Sequence, residues 1–587
     1  MSNGIDTQTD TSLLEVRNLS VEFPLRREVL RVVDQVSFNV KRGEILGIVG
    51  ESGAGKSMTG SAIIGLIDPP GRICEGEIVF DGKLVDGNPV NSKPVKGQST
   101  GNNAMQLRGK HIGMVFQDPL TSLNPLQRIG DQIIETIRIH LRVSDSEATT
   151  RMKAALEEVG LDPTRSQAYP HEFSGGMRQR AVVALALCAE PQLIIADEPT
   201  TALDVSIQAQ ILDLLKRVCK DRGASVMLIT HDMGVISETT NRVAVLYQGK
   251  LVEIGQTRDI IERPEHPYTK ALIACTPTIE GGSIERDLVQ IDRTDSNDAD
   301  GEFNLRPAQV VNEHVDNSTH SSPLLIAKNL SREFDLSDPL LIRLLSLRGK
   351  RILHAVNNVS FQIDRGTTYA LVGESGSGKS TIARMAVGLL APTQGNVTID
   401  GSDLNSSDLD PMQRQALRSR IQMVFQSPFA SLNPRWRVKD ILAEPLHAFN
   451  LAQGQESERV TELLEQVGLS ASDQKKYPHE FSGGQRQRIS IARALASEPE
   501  FIICDEPTSA LDVSVQAQVL NLLKQLQREL GLTYLFITHD LAVVATMARK
   551  IGVLQSGRLV EEGDTVDLLK NPSTEYTKML IDSAPRL

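Results

Sequence analysis

Apolar and polar positions alternate over short stretches in both halves of the chain, and the pattern of the first half recurs in the second. Residues 36–40 read VSFNV and residues 359–363 read VSFQI, an alternation that predicts half-buried strands. Each stretch is followed by a short apolar run and then by a glycine-rich loop. A strand that leads into such a loop and then into a helix predicts an α/β fold, and the recurrence predicts a tandem duplication.

The two glycine-rich loops have the form GxxxxGK[ST], which is typical of phosphate binding. Successive backbone N–H groups of such a loop surround phosphate oxygens, because glycine tolerates the required dihedral angles and allows close approach. We expect Lys56 and Lys379 to reach the β and γ phosphates of ATP, and Ser57 and Ser380 to ligate Mg²⁺. The predicted loop residues are Gly50, Glu51, Ser52, Gly53, Ala54, Gly55, Lys56 and Ser57, and Gly373, Glu374, Ser375, Gly376, Ser377, Gly378, Lys379 and Ser380.

Two further apolar runs, in LIIADE and FIICDE, each end in a pair of carboxylates. A buried parallel strand delivers such groups to its carboxyl-terminal edge, next to the phosphate loop. We expect Asp197 and Asp505 to hold Mg²⁺ through water. Glu198 and Glu506 are placed to polarise the attacking water as general bases.

One histidine in each half closes a predicted strand and precedes an aspartate. The distance along the chain from Asp197 to His231 equals the distance from Asp505 to His539. A lone histidine is usually structural, but a repeated position at a strand end favours contact with the γ-phosphate.

The segments SGGMRQR and SGGQRQR resemble the signature sequence of ATP-binding cassette proteins. The resemblance covers about 530 residues and implies two tandem P-loop cassettes, each a RecA-like core with an antiparallel β subdomain and a helical signature subdomain. In that family the signature helix of one cassette caps the γ-phosphate of ATP held by the other, as a helix N-terminus can. The implied signature residues are Ser174, Gly175, Gly176 and Met177, and Ser482, Gly483, Gly484 and Gln485.

The resemblance further implies two composite ATP sites, each formed by one P-loop and the signature of the opposite cassette. Gln117 and Gln426 are implied to be catalytic and to contact the metal, and Phe23 and Phe334 to stack on adenine. Neither site lacks a catalytic residue, so both are expected to hydrolyse ATP. Met177 departs from the glutamine that the family more often has, which predicts at most a modest asymmetry between the sites.

Several segments point to one branch of the family. FQDPLTSLNP, FQSPFASLNP, HPYTKALIACTP and EYTKMLIDSAP resemble the ATPase subunits of dipeptide, oligopeptide and nickel importers, and the ALD segments at 202–204 and 510–512 match the family's loop between cassettes. The chain is similar to a fusion of two such subunits. The resemblance therefore implies a motor for peptide uptake, with nickel, glutathione or opine import as alternatives.

An importer motor implies partners that the chain does not contain. We expect two transmembrane permease subunits and, indirectly, an extracytoplasmic substrate-binding protein. The expected location is the cytoplasmic face of the inner membrane, with the chain attached peripherally. Substrate choice is expected to lie in those partners.

Composition agrees with these expectations. A net charge of -12 argues against a nucleic-acid partner, which favours a basic face. No apolar run approaches the roughly 18 residues of a membrane span, and the N-terminus lacks the features of a signal peptide. Five scattered cysteines without a CxxC pair indicate a reducing compartment, and Cys188 and Cys504 are expected to be small core residues.

We divide the chain into a first cassette at 12–279, an acidic flexible linker at 280–322 and a second cassette at 323–587. The linker holds ten acidic residues against three arginines and is poor in apolar residues, which is typical of a solvated segment. An insertion at 86–103, rich in Gly, Pro, Asn and Ser, is expected to be a surface loop. A basic segment at 342–351 is expected to be a solvated turn.

A soluble tandem-cassette ATPase that acts on ribosomes is the main rival. Such proteins carry a long basic helical linker, whereas this linker is acidic and rich in turn residues. Cassette proteins of DNA repair need zinc cysteines or a long coiled coil, and neither pattern is present in the sequence. A regulatory nucleotide-binding module is opposed by two complete catalytic sets.

Overall fold

The computed structural model describes residues 12–26, 28–88, 101–200, 203–280, 286–292, 304–306, 323–335, 352–406, 408–451, 454–509 and 511–587. The centre of the insertion at 89–100, most of the predicted linker, the basic segment at 342–351, Ala202 and Ala510 lie outside these residues.

The described residues of the first half form ten strands. In chain order they are β1 (Ser12–Pro24), β2 (Val29–Lys41), β3 (Ile45–Val49), β4 (Arg72–Phe80), β5 (Lys83–Asn88), β6 (Ile112–Val115), β7 (Leu193–Asp197), β8 (Ser225–Thr230), β9 (Arg242–Tyr247) and β10 (Lys250–Gln256). Four of them form an antiparallel sheet in the order β2-β1-β4-β5. The other six form a sheet in the order β10-β9-β3-β8-β7-β6, parallel except for β10.

The second half repeats both sheets. Strands β11 (Gln290–Asp292) and β12 (Asn304–Arg306) pair between the halves, and β13 (Pro323–Asp335), β14 (Ile352–Asp364), β15 (Thr368–Val372), β16 (Gln394–Ile399), β17 (Ser402–Asp403), β18 (Ile421–Val424), β19 (Phe501–Asp505), β20 (Thr533–Ile537), β21 (Lys550–Gln555) and β22 (Arg558–Asp564) follow. The sheet orders are β14-β13-β16-β17 and β18-β19-β20-β15-β21-β22. The strand order of the larger sheet is thus the same in both halves, which confirms the predicted duplication.

Helices lie between the strands in matching positions. In the first half they are Lys56–Ile63, Gly101–Leu107, Pro119–Ser122, Ile129–Leu141, Asp145–Glu158, Gly175–Leu187, Val205–Arg222, Met233–Thr239, Thr257–Glu262 and Pro267–Cys275, with 3₁₀ turns at Pro163–Gln167 and Pro170–Glu172. In the second half they are Lys379–Ala386, Pro411–Ser419, Pro428–Ser431, Val438–Ala448, Glu456–Gln466, Gly483–Leu495, Val513–Leu530, Leu541–Met547, Thr565–Lys570 and Glu575–Ser583, with 3₁₀ turns at Ala471–Lys475 and Pro478–Glu480.

The central strands are apolar because both faces of the larger sheet are covered. Every residue of β3, β7 and β8 is buried, as is every residue of β15, β19 and β20. Continuous apolar runs are what a parallel sheet with helices on both faces requires. Cys188 and Cys504 are both buried, which confirms their predicted place in the core.

The two halves contact each other reciprocally through their last helices. Helix 267–275 of the first cassette packs on helix 513–530 of the second, and helix 575–583 of the second packs on helix 205–222 of the first. Buried apolar side chains from both halves share one cluster at each contact, for example Tyr268 with Val513. The reciprocal contacts place the two cassettes face to face.

Part of the region predicted as a flexible linker is ordered against the second cassette. Asn521 accepts a hydrogen bond from the Leu288 N–H at 2.8 Å and donates one to the Leu288 carbonyl at 2.7 Å. Arg528 forms a two-point ion pair with Asp287 at 3.0 and 3.2 Å. This stretch therefore differs from the expected solvated linker, because polar side chains of helix 513–530 pair with the Leu288 backbone and the Asp287 carboxylate.

The described ends of the predicted surface loop at 86–103 belong to regular elements. Strand β5 extends to Asn88, and a helix begins at Gly101. Arg108, directly after that helix, donates hydrogen bonds to the carbonyl oxygens of Ile64 and Gly65 at 2.7 and 2.6 Å. The far end of the insertion is thereby fixed to the turn that follows the P-loop helix.

Candidate nucleotide-binding sites

Each P-loop joins a central strand to a helix, as the sequence predicts. In the first cassette the loop follows β3 and leads into helix 56–63, and its Gly55 has a left-handed backbone with φ of 90°. A Cβ atom at Gly55 would lie 2.7 Å from the carbonyl oxygen of Val32, closer than real side chains approach. Only glycine fits there, because both the dihedral angle and the space exclude a side chain.

The P-loop lysines point back into their own loops. Lys56 Nζ donates hydrogen bonds to the carbonyl oxygens of Gly50 at 2.7 Å and Glu51 at 2.9 Å, and Lys379 repeats these contacts at 2.6 and 2.8 Å. Burial lowers the pKa of both ammonium groups, although nearby carboxylates act in the opposite direction. The charge of each lysine therefore lies within the loop, where phosphate oxygens bind in proteins of this type.

Oxygen donors meet beside each P-loop helix. Ser57 Oγ donates a hydrogen bond to Asp197 Oδ1 at 2.9 Å, and Ser380 Oγ does the same to Asp505 Oδ1 at 3.2 Å. Burial raises the pKa of Asp197 to about 6, against the hydrogen bond from Ser57. Burial likewise raises the pKa of Asp505. A hydroxyl and a carboxylate suit a hard cation such as Mg²⁺, whose charge would stabilise the ionised aspartate.

The glutamate, glutamine and histidine predicted to be catalytic come together in the first cassette. Gln117 Nε2 donates to Glu198 Oε2 at 2.8 Å, and His231 Nδ1 lies 3.2 Å from Glu198 Oε1. Burial acts to lower the pKa of His231, but the hydrogen bond and charge of Glu198 outweigh it, so that the pKa is raised. The carboxylate is thus held between an amide and an imidazole.

The second cassette repeats this arrangement. Gln426 Nε2 donates to Glu506 Oε2 at 2.7 Å, and His539 Nδ1 lies 3.5 Å from Glu506 Oε1. Burial acts to raise the pKa of Glu506, but the hydrogen bond and charge of His539 outweigh it and lower the pKa. An ionised carboxylate of this kind is suited to act as a general base.

Both glutamates also have an uncommon backbone conformation that the sequence does not reveal. Glu198 and Glu506 have φ angles of 46° and 47°, in the left-handed region. Non-glycine residues seldom adopt this region, and such outliers cluster at functional sites. The N–H of Glu198 donates to the Ile229 carbonyl at 2.9 Å, which stabilises the turn directly after β7.

The signature residues cap their helices. Ser174 Oγ accepts a hydrogen bond from the Met177 N–H at 3.3 Å, and Ser482 Oγ accepts one from the Gln485 N–H at 3.4 Å. Gln485 Oε1 also accepts from the Ser482 N–H at 3.1 Å, which completes a capping box. A methionine cannot make this bond, so the Ser174 N–H lacks that partner. The predicted pairing of each signature with the opposite P-loop stays a prediction.

Each P-loop is contacted by the opposite cassette through Asp204 or Asp512, in the segments that resemble the family's loop between cassettes, and through the start of the helix that follows. These residues are additional to the predicted ATP-site residues. The Ser52 N–H donates to Asp512 Oδ1 at 2.8 Å, and Ser514 Oγ donates to Glu51 Oε1 at 2.5 Å. The matching bonds join the Ser375 N–H to Asp204 and Ser206 to Glu374. The repeated segments DVSIQAQ and DVSVQAQ could have indicated these contacts, because their polar residues begin a helix in both halves.

The two candidate adenine platforms have different surroundings. A Cβ atom at Gly71 would lie 2.6 Å from the ring of Phe23, so the ring lies directly over that glycine. The guanidinium of Arg332 lies 4.9 Å from the ring centroid of Phe334. Stacking of either ring on adenine stays a prediction.

Two P-loop units that face each other, each with a signature helix and each contacting the other's P-loop, define an ATP-binding cassette ATPase. A family model described as "ABC transporter" matches residues 33–201 and 356–509, and one described as "Oligopeptide/dipeptide transporter, C-terminal region" matches residues 252–300 and 560–587. The chain belongs to the ABC transporter family, in the branch with that C-terminal region. It is a tandem-cassette ATPase subunit that uses ATP, as the sequence predicts.

Relatives match along nearly the whole chain. The protein is 41% identical over 580 residues to the glutathione import ATP-binding protein GsiA of Pectobacterium atrosepticum, which covers 98% of this chain and 89% of the relative. It is 42% identical over 582 residues to the protein of the same name in Escherichia coli K12, with 98% and 90% covered. An importer ATPase implies membrane permease partners.

A solved structure matches one cassette. The dimeric ATP-binding cassette MJ0796 bound to ADP and Pi is 32% identical, with a TM-score of 0.36, and the match covers 41% of this chain and 98% of that one. Across the described ranges of the present chain, no helix combines the length and apolar character needed to span a membrane.

Proposed function

We propose that this chain is the ATPase motor of an importer of short peptides, with the tripeptide glutathione as the first substrate to test. The observation that carries the proposal is the similarity to two glutathione import ATP-binding proteins, which extends over 98% of the chain and includes the region after each cassette. Nickel, opines and longer peptides are the competing substrates.

The geometry of each site supports the catalytic roles that we propose. Glu198 and Glu506, each held by a glutamine and a histidine, act as general bases toward the attacking water. The P-loop lysines and backbone bind the phosphates, and the signature residues of the opposite cassette complete each site. Asp197 with Ser57, and Asp505 with Ser380, would hold Mg²⁺, which would supply electrostatic stabilisation of the phosphates.

The proposed work cycle uses both cassettes and two further subunits. ATP binding closes the cassettes on each other, and hydrolysis releases them, because the closed state binds ATP more tightly. The segments after Gln117 and Gln426 receive two transmembrane permeases on the cytoplasmic face of the inner membrane. Exposed Leu120 and Phe429 in these segments, 63% and 56% accessible, support an apolar docking surface there. A substrate-binding protein on the other side delivers the peptide.

Uptake by the native host tests this proposal. Labelled glutathione, dipeptides, tripeptides, oligopeptides and nickel are supplied to cells that carry the wild-type chain or the double variant Lys56→Ala, Lys379→Ala. The variant is expected to abolish uptake of glutathione, because both buried P-loop ammonium groups are lost. A double variant of exposed lysines, Lys153→Ala and Lys475→Ala, is the matched control and should transport normally. Glutathione uptake that survives in the P-loop variant would overturn the assignment.

A further inference from the structure

A tyrosine from the C-terminal region of each cassette lies against that cassette's own P-loop. The Glu51 N–H donates a hydrogen bond to the hydroxyl oxygen of Tyr268 at 3.1 Å. In the second cassette the Glu374 N–H donates to the hydroxyl oxygen of Tyr576, also at 3.1 Å. Both tyrosines open the last helix of their cassette, so one contact is built twice from regions far apart in sequence.

Tyr268 is held rigidly in this position. Its side chain is fully buried, its ring lies 4.3 Å from that of Tyr247, and its N–H donates to His266 Nδ1 at 3.1 Å. The two carboxylate oxygens of Glu253 accept hydrogen bonds from the N–H groups of Glu265 and His266 at 2.8 and 3.1 Å. The hydroxyl therefore presents a fixed acceptor to the first peptide of the P-loop.

Glu51 connects three parts of the molecule. Its N–H bonds to Tyr268, its carbonyl oxygen accepts from Lys56 Nζ at 2.9 Å, and its carboxylate accepts from Ser514 of the opposite cassette at 2.5 Å. Ser514 opens helix 513–530, on which the helix that carries Tyr268 also packs. The phosphate loop, the C-terminal region and the opposite cassette thus meet at a single buried residue.

We propose that Tyr268 and Tyr576 are positioning residues that hold each P-loop in the conformation that binds ATP and couple it to the opposite cassette. The inference rests on the proposed ATP sites but not on the identity of the transported substrate. Each tyrosine fixes the orientation of the peptide before Glu51 or Glu374, and thereby the carboxylate that reaches across the interface. ATP bound at one loop is sensed at the helix of the other cassette through that carboxylate.

Removal of the hydroxyl alone has a defined physical consequence. Tyr268→Phe keeps the buried ring and leaves the Glu51 N–H without this acceptor. Since a buried N–H that loses its partner is costly, the P-loop is expected to shift and its affinity for ATP to fall about tenfold. The loss appears in KM more than in kcat, because Glu198 and its partners are untouched.

The experiment separates the two sites in the full chain. Equilibrium binding of N-methylanthraniloyl-ATP is measured in the Lys379→Ala background, in which only the first P-loop is intact, and in the Lys56→Ala background, in which only the second is. Tyr268→Phe should weaken binding in the first background alone, and Tyr576→Phe in the second alone. If neither lysine variant lowers binding, the proposed ATP sites themselves fail, which is a different result from equal binding by the tyrosine variants.

A double-mutant cycle tests the coupling to the opposite cassette. Tyr268→Phe and Ser514→Ala act on the same glutamate, so their combined effect on ATP affinity should be smaller than the product of the single effects. Tyr534→Phe is the control, because its buried hydroxyl donates to the Leu523 carbonyl at 3.0 Å instead of to a P-loop. Unchanged ATP affinity in Tyr268→Phe, or a lower melting temperature without a change in affinity, would overturn the proposal.

Discussion

The two cassettes of this chain share the arrangement of their proposed ATP-site residues almost atom for atom and differ in how the surrounding helices are held. The distance from Gln117 Nε2 to Glu198 Oε2 is 2.8 Å, and the matching distance in the second cassette is 2.7 Å. Both P-loop lysines make the same two bonds. Three supporting features differ between the cassettes. They are the hydrogen bonds that cap the signature helix, the hydrogen bonds that cap the last helix, and the contacts made by the interface helix, 205–222 or 513–530. Duplication has therefore kept the proposed reacting groups and allowed the contacts that hold the surrounding helices to diverge.

Loss of both proposed general bases tests the shared arrangement and has the largest expected effect. The double variant Glu198→Gln, Glu506→Gln keeps the side-chain shape but removes both bases, so kcat for ATP hydrolysis should fall at least about 100-fold. The two single variants should lose activity to similar extents, because the two carboxylates have matching partners. Steady-state phosphate release measures all three.

The matched control for this experiment replaces Glu157 and Glu465, which are exposed and occupy equivalent positions in the two cassettes. Glu157→Gln with Glu465→Gln should hydrolyse ATP at the wild-type rate. If either Glu198→Gln or Glu506→Gln retained full activity, the two sites would not be equivalent in hydrolysis. That result would contradict the comparison.

The second prediction concerns the interface helices. Helix 513–530 forms hydrogen bonds with the segment 286–292, whereas helix 205–222 of the first cassette forms no such bond with any described linker residue. Asn521 is buried and makes two hydrogen bonds to Leu288, whereas Asp213, at the equivalent position of the first cassette, has a side chain that is 72% exposed. Asn521→Ala should speed hydrogen exchange of the Leu288 amide roughly thirtyfold, as expected for a loss of about 2 kcal/mol. Asp213→Ala, the control, should leave it unchanged.

A third difference lies at the start of the last helix of each cassette and depends on pH. The Glu561 carboxylate accepts from the Ser573 N–H at 2.7 Å and from the Thr574 N–H and hydroxyl at 3.1 and 2.9 Å. Burial acts to raise its pKa, but these bonds and one from Thr577 outweigh it and lower the pKa to about 2. A lowered folded-state pKa means that the stabilisation is complete above the unfolded value, near 4.3, and is lost as pH falls toward 2.

Glu561→Gln should therefore destabilise helix 575–583 by about 1 kcal/mol at pH 7, and the difference from wild type should shrink below pH 4. In the first cassette His266 stands where Thr574 stands in the second, and it supplies no hydroxyl to Glu253. Glu253→Gln should consequently cost less. Hydrogen exchange of the helix amides, measured at several pH values, decides between a charge-dependent cap and one that is indifferent to pH.

The sequence predicted where the proposed reacting groups lie, because local pattern determines their positions. A P-loop must follow a strand, and carboxylates at the ends of buried parallel strands must meet at one edge, so Ser57, Asp197 and Glu198 could be placed together without coordinates. The core positions of Cys188 and Cys504 followed from apolar surroundings in the same way. Periodicity and spacing are sufficient where a single element sets the geometry.

The resemblance placed 202–204 and 510–512 in a loop between cassettes, but the partners of the contacts between cassettes could not be predicted from local pattern. Tyr268, Glu51 and Ser514 come from three distant segments, and nothing in local pattern tells which face of helix 513–530 meets which loop. The docking of 286–292 was missed for the same reason, since an acidic, apolar-poor segment is typical of a solvated linker unless a partner such as Arg528 is known. Both the contacts between cassettes and the docking of 286–292 depend on partners that are distant in sequence.

The smallest expected effect concerns the signature helices. Gln485 completes a capping box with Ser482, whereas Met177 leaves the Ser174 N–H without that bond. Met177→Gln should stabilise its helix by about 0.5 kcal/mol, and Gln485→Met should cost the same amount. Because the backbone amides of the two signature glycines, rather than these side chains, are proposed to contact phosphate, ATP hydrolysis should change by less than about twofold in either variant. Phosphate release by Met177→Gln in the Lys56→Ala background isolates the site that this signature completes. A large gain in phosphate release there would mean that Met177 itself slows hydrolysis at one site. The differences in supporting contacts would then also affect the reaction.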